Sequence, residues 1–390
     1  MGSVGSALTI DDLKQMARRR VPRMFFDYAD SGSWTEQTYR DNETDFAAVS
    51  FRQRVAVNIE NRSLAATMLG QPVTMPVAFA PAATCGMQIA DGEIKAARAA
   101  EKFGIPFSLS TMSVCSIEDV AENTSKPFWF QLYMMKDRGF MGRLIDRAKA
   151  AKCSALILTM DLQILGQRHV DTRNGLATPP KLNANSIWQM VTRPGWALGM
   201  LGTKRHTFRN VVGQVSGVED LSSLASWISS QFDLKLSWRE VAWVKERFGG
   251  PVIVKGVLDP QDAQLAVDHG ADAIVVSNHG GRQLDGAPSS IRVLPEMVDV
   301  LGAKTEVFMD GGIRSGQDLL KALALGAKGA FIGRPMLYGL GAGGEEGVTR
   351  ALSIIQKEAD ITMALMGERD IKNIGAHNIY SNDLLRRQGY

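Results

Sequence analysis

The residues best suited to chemistry lie in a run that reads Ser-Asn-His-Gly-Gly-Arg-Gln-Leu-Asp over residues 277–285. His279 directly follows an apolar, β-branched run, and histidine is the usual proton acceptor near neutral pH. Arg282 lies three residues later and can hold a carboxylate through two parallel hydrogen bonds. Gly280 and Gly281 allow a tight turn between the two side chains. The run therefore predicts a site that holds a carboxylate while an imidazole removes a proton.

A second set of residues near the C-terminal third predicts a phosphate site. It occupies two short runs, each after an apolar run, and its members are Asp310, Gly311, Gly312, Arg314, Gly333 and Arg334. Glycines expose backbone N–H groups and arginines offer forked donors, and both suit a phosphate. Barrel enzymes frequently bind phosphate at the loops after their last two strands.

The elements that must position these residues are short apolar runs that alternate with amphipathic, helix-like stretches. The eight runs are residues 77–80, 107–109, 128–132, 155–160, 252–254, 273–276, 306–309 and 329–332. Continuous apolar strands indicate a sheet that is covered on both faces. Eight strand–helix units predict an α/β fold, the (β/α)8 TIM barrel, in which functional residues gather at the carboxyl ends of the strands.

The chain of 390 residues suits one barrel domain over residues 1–390. We expect four parts: an N-terminal helical segment (1–70), the barrel (71–366), a long insertion in the fourth βα loop (163–237) and a C-terminal tail (367–390). Thr9 is predicted to cap the first helix. The insertion is too long for an ordinary loop, and it lies where barrels carry lids and partner-binding segments.

Composition excludes several classes of protein. The net charge of +3 is small for this length, so nucleic acid is not an expected partner. The N-terminus does not read as a signal peptide, and no window is long and apolar enough to cross a bilayer. Cys85, Cys115 and Cys153 are widely spaced and form no metal-ligand pattern, so we expect reduced thiols, no metal and a cytoplasmic protein.

SNHGGRQLD (277–285) resembles the signature of the FMN-dependent L-2-hydroxy-acid oxidase and dehydrogenase family. Further motifs that carry the resemblance are FDYADSG (26–32), LSTMS (109–113), WFQLY (129–133), LTMD (158–161), LGQRH (165–169), VKG (254–256), DGGIRSG (310–316) and ALALGAKGAFIGRP (322–335). The resemblance covers roughly residues 8 to 380. It implies a TIM barrel that holds FMN.

The resemblance also implies roles for individual residues. His279 would take the hydroxyl proton of the substrate, and Asp161 would stabilise the resulting imidazolium. The substrate carboxylate and reacting oxygen would be bound by Arg282, Arg168, Tyr28 and Tyr133. Lys255 would lie beside the flavin, where negative charge develops on reduction. Other flavin contacts would come from Ala80, Pro81, Ala82, Ser110, Gln131, Thr159 and Ser277, together with the phosphate set named above.

Two positions depart from the family pattern on the side of the substrate side chain. The first loop reads Ala80-Pro81-Ala82-Ala83, where the family often has threonine at position 82, and position 112 is methionine, where some oxidases have tryptophan. Ala83 and Met112 would line the pocket for that side chain. Substrate identity is therefore less firmly indicated than reaction type.

Residues 187–201 resemble the corresponding stretch of the family's bacterial L-lactate and mandelate dehydrogenases, which associate with membranes. Tryptophans and aliphatic residues lie here beside cations, so residues 187–205 are expected either to touch a membrane on its cytoplasmic face or to form a lid. A small aliphatic 2-hydroxy acid, L-lactate first, is the expected substrate. A separate quinone, cytochrome or oxygen is the expected electron acceptor, and the expected assembly is a homotetramer.

Three alternatives stay open at this point. The first is an oxidase that makes hydrogen peroxide from the same substrates. The second is a mandelate-type dehydrogenase. The third is another FMN-binding or phosphate-binding TIM barrel.

Overall fold

A computed structural model describes residues 2–83, 85–176, 184–215, 227, 230–302 and 304–383. The strands are β1 Val49–Phe51, β2 Ala66–Met68, β3 Gln71–Val73, β4 Val77–Phe79, β5 Ser108–Ser110, β6 Trp129–Tyr133, β7 Ala155–Thr159, β8 Val252–Val257, β9 Ala273–Val276, β10 Glu306–Met309, β11 Gly329–Ile332 and β12 Ile379–Asn382.

Strands β4 to β11 form one parallel sheet. From β5 to β11 each strand pairs with the next along the chain, and β11 pairs with β4. Between β4 and β5, the Phe79 amide donates to the Pro106 carbonyl at 2.9 Å. The eight strands thus form a closed ring with helices around it. The predicted (β/α)8 TIM barrel is confirmed.

The α-helices of the described residues are Ile10–Arg20, Arg23–Ala29, Gln37–Thr44, Cys85–Gln88, Gly92–Phe103, Ile117–Ala121, Arg138–Ala150, His169–Arg173, Ala184–Val191, Pro194–Gly202, Arg239–Phe248, Pro260–Asp268, Ser290–Leu301, Gly316–Ala324 and Arg334–Met366. The predicted cap of the first helix is present. The Thr9 hydroxyl accepts from the Asp12 amide at 3.1 Å, and the Asp12 carboxylate accepts from the Thr9 amide at 2.9 Å. Each side chain satisfies an amide that the helix leaves free.

Side chains alternate along the barrel strands between two buried clusters. Trp129, Phe308 and Phe331 belong to the smaller cluster. The ring centroid of Phe331 lies 5.6 Å from that of Trp129 and 5.8 Å from that of Phe308. Phe130 belongs to the larger cluster, which includes the helices. Because successive side chains of a strand face opposite sides, the smaller cluster fills the barrel interior. Met68 of β2 joins it, so the β2–β3 hairpin covers the amino-terminal end of the barrel.

The N-terminal segment contains short strands as well as helices. It contains β1, which pairs with β12 of the tail in antiparallel register, Ser50 opposite Ser381. The segment and the tail therefore lie against each other. Strands of three residues show too little alternation to be recognised in a sequence.

Between β7 and the helix Arg239–Phe248, the chain passes through the helices His169–Arg173, Ala184–Val191 and Pro194–Gly202. None of the helices in the described residues is both long enough and apolar enough to span a membrane. Trp196 holds the third of these helices against the barrel, since its indole N–H donates to the Met87 carbonyl at 2.9 Å and its ring stacks on Phe25 at 5.4 Å.

Candidate active site

The centre of the site is a histidine–carboxylate pair at the carboxyl ends of β7 and β9. The Nδ1 atom of His279 lies 2.9 Å from Oδ1 of Asp161, and the two side chains are 22% and 14% exposed. A carboxylate on Nδ1 favours the tautomer that carries its proton there. The lone pair of Nε2 is then available to accept a proton.

The backbone at His279 has a left-handed conformation, with φ +59°, which a non-glycine residue adopts at a cost. Its amide donates to Oγ of Ser277 at 3.1 Å. The next residue back, Asn278, exchanges two 2.8 Å hydrogen bonds with Asn42 and accepts from the Gly281 amide at 3.0 Å. These bonds hold the turn that directs the imidazole.

Asp161 depends on a glycine in the neighbouring strand. Gly256 of β8 has φ +99°, and a Cβ atom there would lie 2.5 Å from Cγ of Asp161. The strand register shifts between Lys255 and Val257, so β8 bulges at this glycine. Burial acts to raise the pKa of Asp161, but the charges of His279 and Lys255 outweigh it and lower that pKa. The carboxylate is therefore ionised where the imidazolium would form.

Lys255 is a buried cation on the same strand. Its Nζ atom lies 2.9 Å from Oδ2 of Asp310 and donates to Oγ of Ser277 at 2.8 Å. Burial acts to lower the pKa of Lys255, yet the charges of Asp310 and Asp161 raise it. The side chain therefore stays positive inside the barrel mouth.

Two arginines meet on the ring of Tyr28. The guanidinium of Arg282 lies 4.6 Å from the ring centroid and that of Arg168 lies 5.3 Å from it. Arg282 also donates to the carbonyls of Tyr28 and Ser31, at 2.6 and 3.1 Å. Burial and the charge of Arg168 lower the pKa of Arg282 to about 10. Two like charges held together in this way are suited to an anion.

Two tyrosines lie beside these charges. Tyr133, at the end of β6, is half-buried, and burial together with the charge of Asp161 raises the pKa of its hydroxyl. Burial acts to raise the pKa of Tyr28, but the charges of Arg168 and Arg282 lower it. The Tyr133 hydroxyl thus stays protonated and can donate a hydrogen bond.

A row of buried polar side chains crosses the ends of three adjacent strands. The Ser110 hydroxyl donates to Oε1 of Gln131 at 3.0 Å, and Nε2 of Gln131 donates to the Thr159 hydroxyl at 3.0 Å. The Met112 amide bonds to the Ser110 hydroxyl at 3.2 Å, which places Met112 next to this row. Residues 80–83 follow β4, on the other side of β5. Ser110, Gln131, Thr159 and residues 80–82 are positions that the resemblance assigned to the flavin, and Ala83 and Met112 are those that it assigned to the pocket for the substrate side chain.

The predicted phosphate residues are brought together after β10 and β11. Gly311 and Gly312 have φ +92° and +85°, and a Cβ atom on Gly312 would overlap the Asn42 carbonyl oxygen. Gly333 precedes the long helix that begins at Arg334, and amides in the first turn of a helix have no partner within the helix. These backbone amides provide a cradle for an anion.

The two predicted phosphate arginines are engaged differently from each other. The Arg334 guanidinium donates to the carbonyls of Ala29, Ser31 and Gly280 at 3.0 to 3.1 Å. Its side chain thus joins the loops around the site, and the backbone amide is the group left for a phosphate. Arg314 pairs with Glu43 at 2.8 Å and keeps a half-buried side chain at the cradle.

The site fits FMN. Lys255 supplies a positive charge, the polar row supplies hydrogen-bonding groups for a ring and chain, and the glycine cradle supplies amides for a phosphate. Among the described residues, Oδ1 of Asp310 is buried without a hydrogen-bond partner, so it is available to accept a hydrogen bond from a hydroxyl of the cofactor. Such an atom is costly unless a ligand satisfies it.

Two buried acidic residues beside the site were not predicted. Asp171 is buried and lies 3.3 Å from Arg168, and the signal for it was an arginine–aspartate spacing of three on a helix. Glu93 is fully buried and accepts from the Gly86 and Val114 amides at 3.1 Å each, so it joins the loops after β4 and β5. A glutamate at the start of an amphipathic helix gives no sign of this role.

Comparison with known proteins agrees with this chemistry. A family model described as FMN-dependent dehydrogenase matches residues 17–381. An L-lactate dehydrogenase of Caulobacter sp. (strain K31) is 45% identical over 368 residues, which cover 93% of this chain and 96% of the relative. One of Pseudomonas syringae pv. syringae (strain B728a) is 44% identical over 367 residues, 94% of this chain and 96% of the relative.

Solved structures are similar over the same length. The crystal structure of the monotopic membrane protein (S)-mandelate dehydrogenase has a TM-score of 0.92 and 33% identity, and the match covers 96% of this chain and all of the other. A mandelate oxidase has a TM-score of 0.82 and 33% identity, with 96% and 98% covered. The described fold is thus shared with a mandelate dehydrogenase and with a mandelate oxidase.

Proposed function

The chain belongs to the FMN-dependent dehydrogenase family, and on that basis we propose that it oxidises L-lactate to pyruvate and passes the electrons to a respiratory acceptor. It is an FMN-dependent 2-hydroxy-acid oxidoreductase. The observation that carries the proposal is the His279–Asp161 pair at 2.9 Å beside the arginines on Tyr28. A base and a carboxylate clamp are the two protein groups that this reaction requires.

We assign one role to each group of side chains. Arg282 and Arg168 bind the substrate carboxylate, with the Tyr28 hydroxyl. Nε2 of His279 accepts the hydroxyl proton, and Asp161 stabilises the positive charge that the imidazole acquires. Tyr133 donates a hydrogen bond to the reacting oxygen.

The substrate loses two electrons and two protons in this oxidation. When bound, FMN supplies the two-electron acceptor. It would be held by Lys255, the polar row and the glycine cradle. Lys255 contributes a fixed positive charge at no cost of reorganisation.

L-lactate is favoured by the names of the relatives. A mandelate-type substrate is the competing possibility, because the similar solved structures act on mandelate by name. Anaerobic bleaching of the purified yellow protein by L-lactate, glycolate and (S)-mandelate distinguishes them. Fastest bleaching by L-lactate supports the proposal, and fastest bleaching by (S)-mandelate refutes the substrate.

A dehydrogenase is favoured over an oxidase by the same names. The test compares hydrogen peroxide produced in air with reduction of an artificial dye acceptor, each per L-lactate consumed. Peroxide equal to the lactate consumed, with the dye present, would identify an oxidase.

We propose further that the insertion touches a membrane surface. The apolar side chains Ile187, Trp188, Val191, Leu198 and Leu201 are 53 to 81% exposed on two successive helices. Exposed apolar residues grouped in this way are typical of an interface. Of the cations expected nearby, Lys204 is exposed, whereas Arg205 pairs with Asp91 and Asp119 at 3.1 and 2.9 Å. The apolar residues therefore carry the proposal.

Sedimentation with vesicles of phosphatidylglycerol and phosphatidylethanolamine tests this contact. Trp188→Ser and Leu201→Ser should each reduce the bound fraction at least about fivefold, since burying such a side chain contributes roughly 1.5–3 kcal/mol. Leu234→Ser is the matched control, because Leu234 is 71% exposed but lies outside the two helices. Equal loss in all three variants would contradict the proposed surface.

We propose a homotetramer as the assembly, on the resemblance to the family alone. Light scattering on the eluting protein should give about four chain masses. A monomer mass would refute this assembly and would leave the reaction unaffected.

A further inference from the structure

The arginine pair of the site has a buried acidic neighbour that the mechanism above does not use. Asp171 is 6% exposed and lies on the first turn of the helix that follows Arg168. Its Oδ2 atom is 3.3 Å from Nε of Arg168. Its Oδ1 atom is buried and has no hydrogen-bond partner among the described residues. A buried carboxylate is rare unless it is paired, so its partners define its purpose.

The charges around Asp171 indicate what its carboxylate does. Arg168 and Arg282 both contact the ring of Tyr28, at 5.3 and 4.6 Å, so two positive charges lie close together. Burial raises the pKa of Asp171, and the charges of Arg282 and Arg168 oppose that rise, so the carboxylate interacts electrostatically with both arginines. The three side chains together carry one net positive charge. A single carboxylate would neutralise that charge.

Other charged groups around the pair are already satisfied. Asp27, which faces Asp171, pairs with Arg23 at 3.1 Å. Arg334, which faces Arg282, donates to three backbone carbonyls. Asp171 is therefore the acidic side chain that compensates the pair.

We propose that Asp171 is the positioning residue of the arginine pair: it holds Arg168 against Tyr28 and cancels one positive charge, so that the site selects monocarboxylates over dicarboxylates. This inference rests on the proposed function, since it assumes that the pair binds the substrate carboxylate. It adds a basis for substrate selection that depends on charge and not on the size of the pocket.

The test is equilibrium binding of propionate and oxalate to the flavin-loaded protein, followed by the flavin absorbance. Propionate carries one negative charge and oxalate carries two at neutral pH. In Asp171→Asn, the site gains one net positive charge, and the affinity for oxalate relative to propionate should rise about tenfold or more, as expected for a unit charge several ångströms away in a protein. A role confined to local stability would not change this ratio.

A second variant and steady-state kinetics sharpen the test. Asp171→Asn combined with Arg168→Gln restores the net charge, so the ratio should return toward that of the wild type. With L-lactate, Asp171→Asn should raise KM more than it lowers kcat, because the loosened arginine binds the carboxylate less well. Asp233→Asn is the matched control, as Asp233 pairs with Arg138 at 2.6 Å elsewhere in the same insertion.

The possible results of these experiments separate the inference from the proposed function. An unchanged oxalate-to-propionate ratio in Asp171→Asn overturns the inference, whether or not turnover falls. Asp171→Ser, which has a smaller side chain, is measured alongside it. If neither variant retains the fold, the carboxylate has a structural role and the inference is again overturned. If the wild type neither binds propionate nor oxidises L-lactate, it is the proposed function that has failed.

Discussion

Replacement of Asp161 by asparagine tests whether this carboxylate stabilises the charge that His279 acquires. The two side chains have nearly the same shape, so Asp161→Asn removes a charge and keeps a hydrogen-bond acceptor. The contact with Nδ1 is 2.9 Å and the carboxylate is 14% exposed, so solvent screens it little.

The size of the effect follows from this geometry. A hydrogen bond to a charged group contributes roughly 1.5–3 kcal/mol, and the buried attraction between the ions adds to it. We expect a loss of about 2–3 kcal/mol in transition-state stabilisation, which is a rate about 30- to 150-fold slower. Binding of FMN should be unchanged, because Asp161 belongs to the base and not to the polar row or the phosphate cradle.

The assay is stopped-flow reduction of the flavin by L-lactate without oxygen, in a double-mutant cycle with His279→Gln. Because Asp161 acts through the imidazole, Asp161→Asn should slow His279→Gln by less than about threefold. Asp360→Asn is the control, since its ion pair with Arg62 at 2.9 Å is exposed and remote from the site. A full 30-fold loss in the His279→Gln background would refute the reasoning.

Three further predictions concern the support of the site. Gly256→Ala should lower turnover at least about tenfold, because its Cβ would displace Asp161. The matched control for Gly256→Ala is Gly286→Ala, at φ +85° with open space around it, which should lose about 1–2 kcal/mol of stability but keep its turnover. In thermal melts, Glu93→Ala should lose about 2–6 kcal/mol through two unsatisfied buried amides, and Glu93→Gln should lose less because its oxygen can still accept. The lowered pKa of Asp161 stabilises the fold above its ordinary value of 3.8, and that stability is lost as pH falls through the folded pKa. Acid titration of Asp161→Asn should therefore show a smaller loss of unfolding free energy below pH 3.8 than the wild type; an equal loss contradicts the shift.

The barrel could be predicted because its strands are buried on both faces. Residues 273–276, 306–309 and 329–332 form strands at the predicted bounds, since each run is apolar apart from Glu306 at the start of one of them. The strand predicted at 252–254 continues to Val257, because β8 resumes its pairing with β9 after the bulge at Gly256. In the sequence, Lys255 and Gly256 interrupt the apolar run and hide this continuation. In the sequence, polar residues at a strand end can be recognised as candidates for function, but they cannot be recognised as part of the strand.

Contacts made by backbone atoms were the part that the sequence could not reveal. The prediction assigned Arg334 to a phosphate by its residue type, and the structure shows its guanidinium bound to three carbonyls. Asp171 and Glu93 were missed for a related reason. Glu93 is bound by amides of other loops, and the spacing of three between Arg168 and Asp171 does not show that the pair is buried. In the sequence, a carboxylate on a helix looks the same whether it faces solvent or a buried partner.

The strained turn at His279 connects the base to the flavin side of the site. The amide of His279 and the ammonium of Lys255 both donate to the hydroxyl of Ser277, at 3.1 and 2.8 Å. Lys255 in turn pairs with Asp310, which follows β10, at 2.9 Å. A left-handed residue persists only where its surroundings determine it fully, and here one hydroxyl serves both the base and the lysine. Loss of the Lys255 charge must therefore disturb the orientation of the imidazole as well as the potential near the flavin. A rate measured in a Lys255 variant reports both effects, and only the tautomer and position of His279 in that variant can separate them.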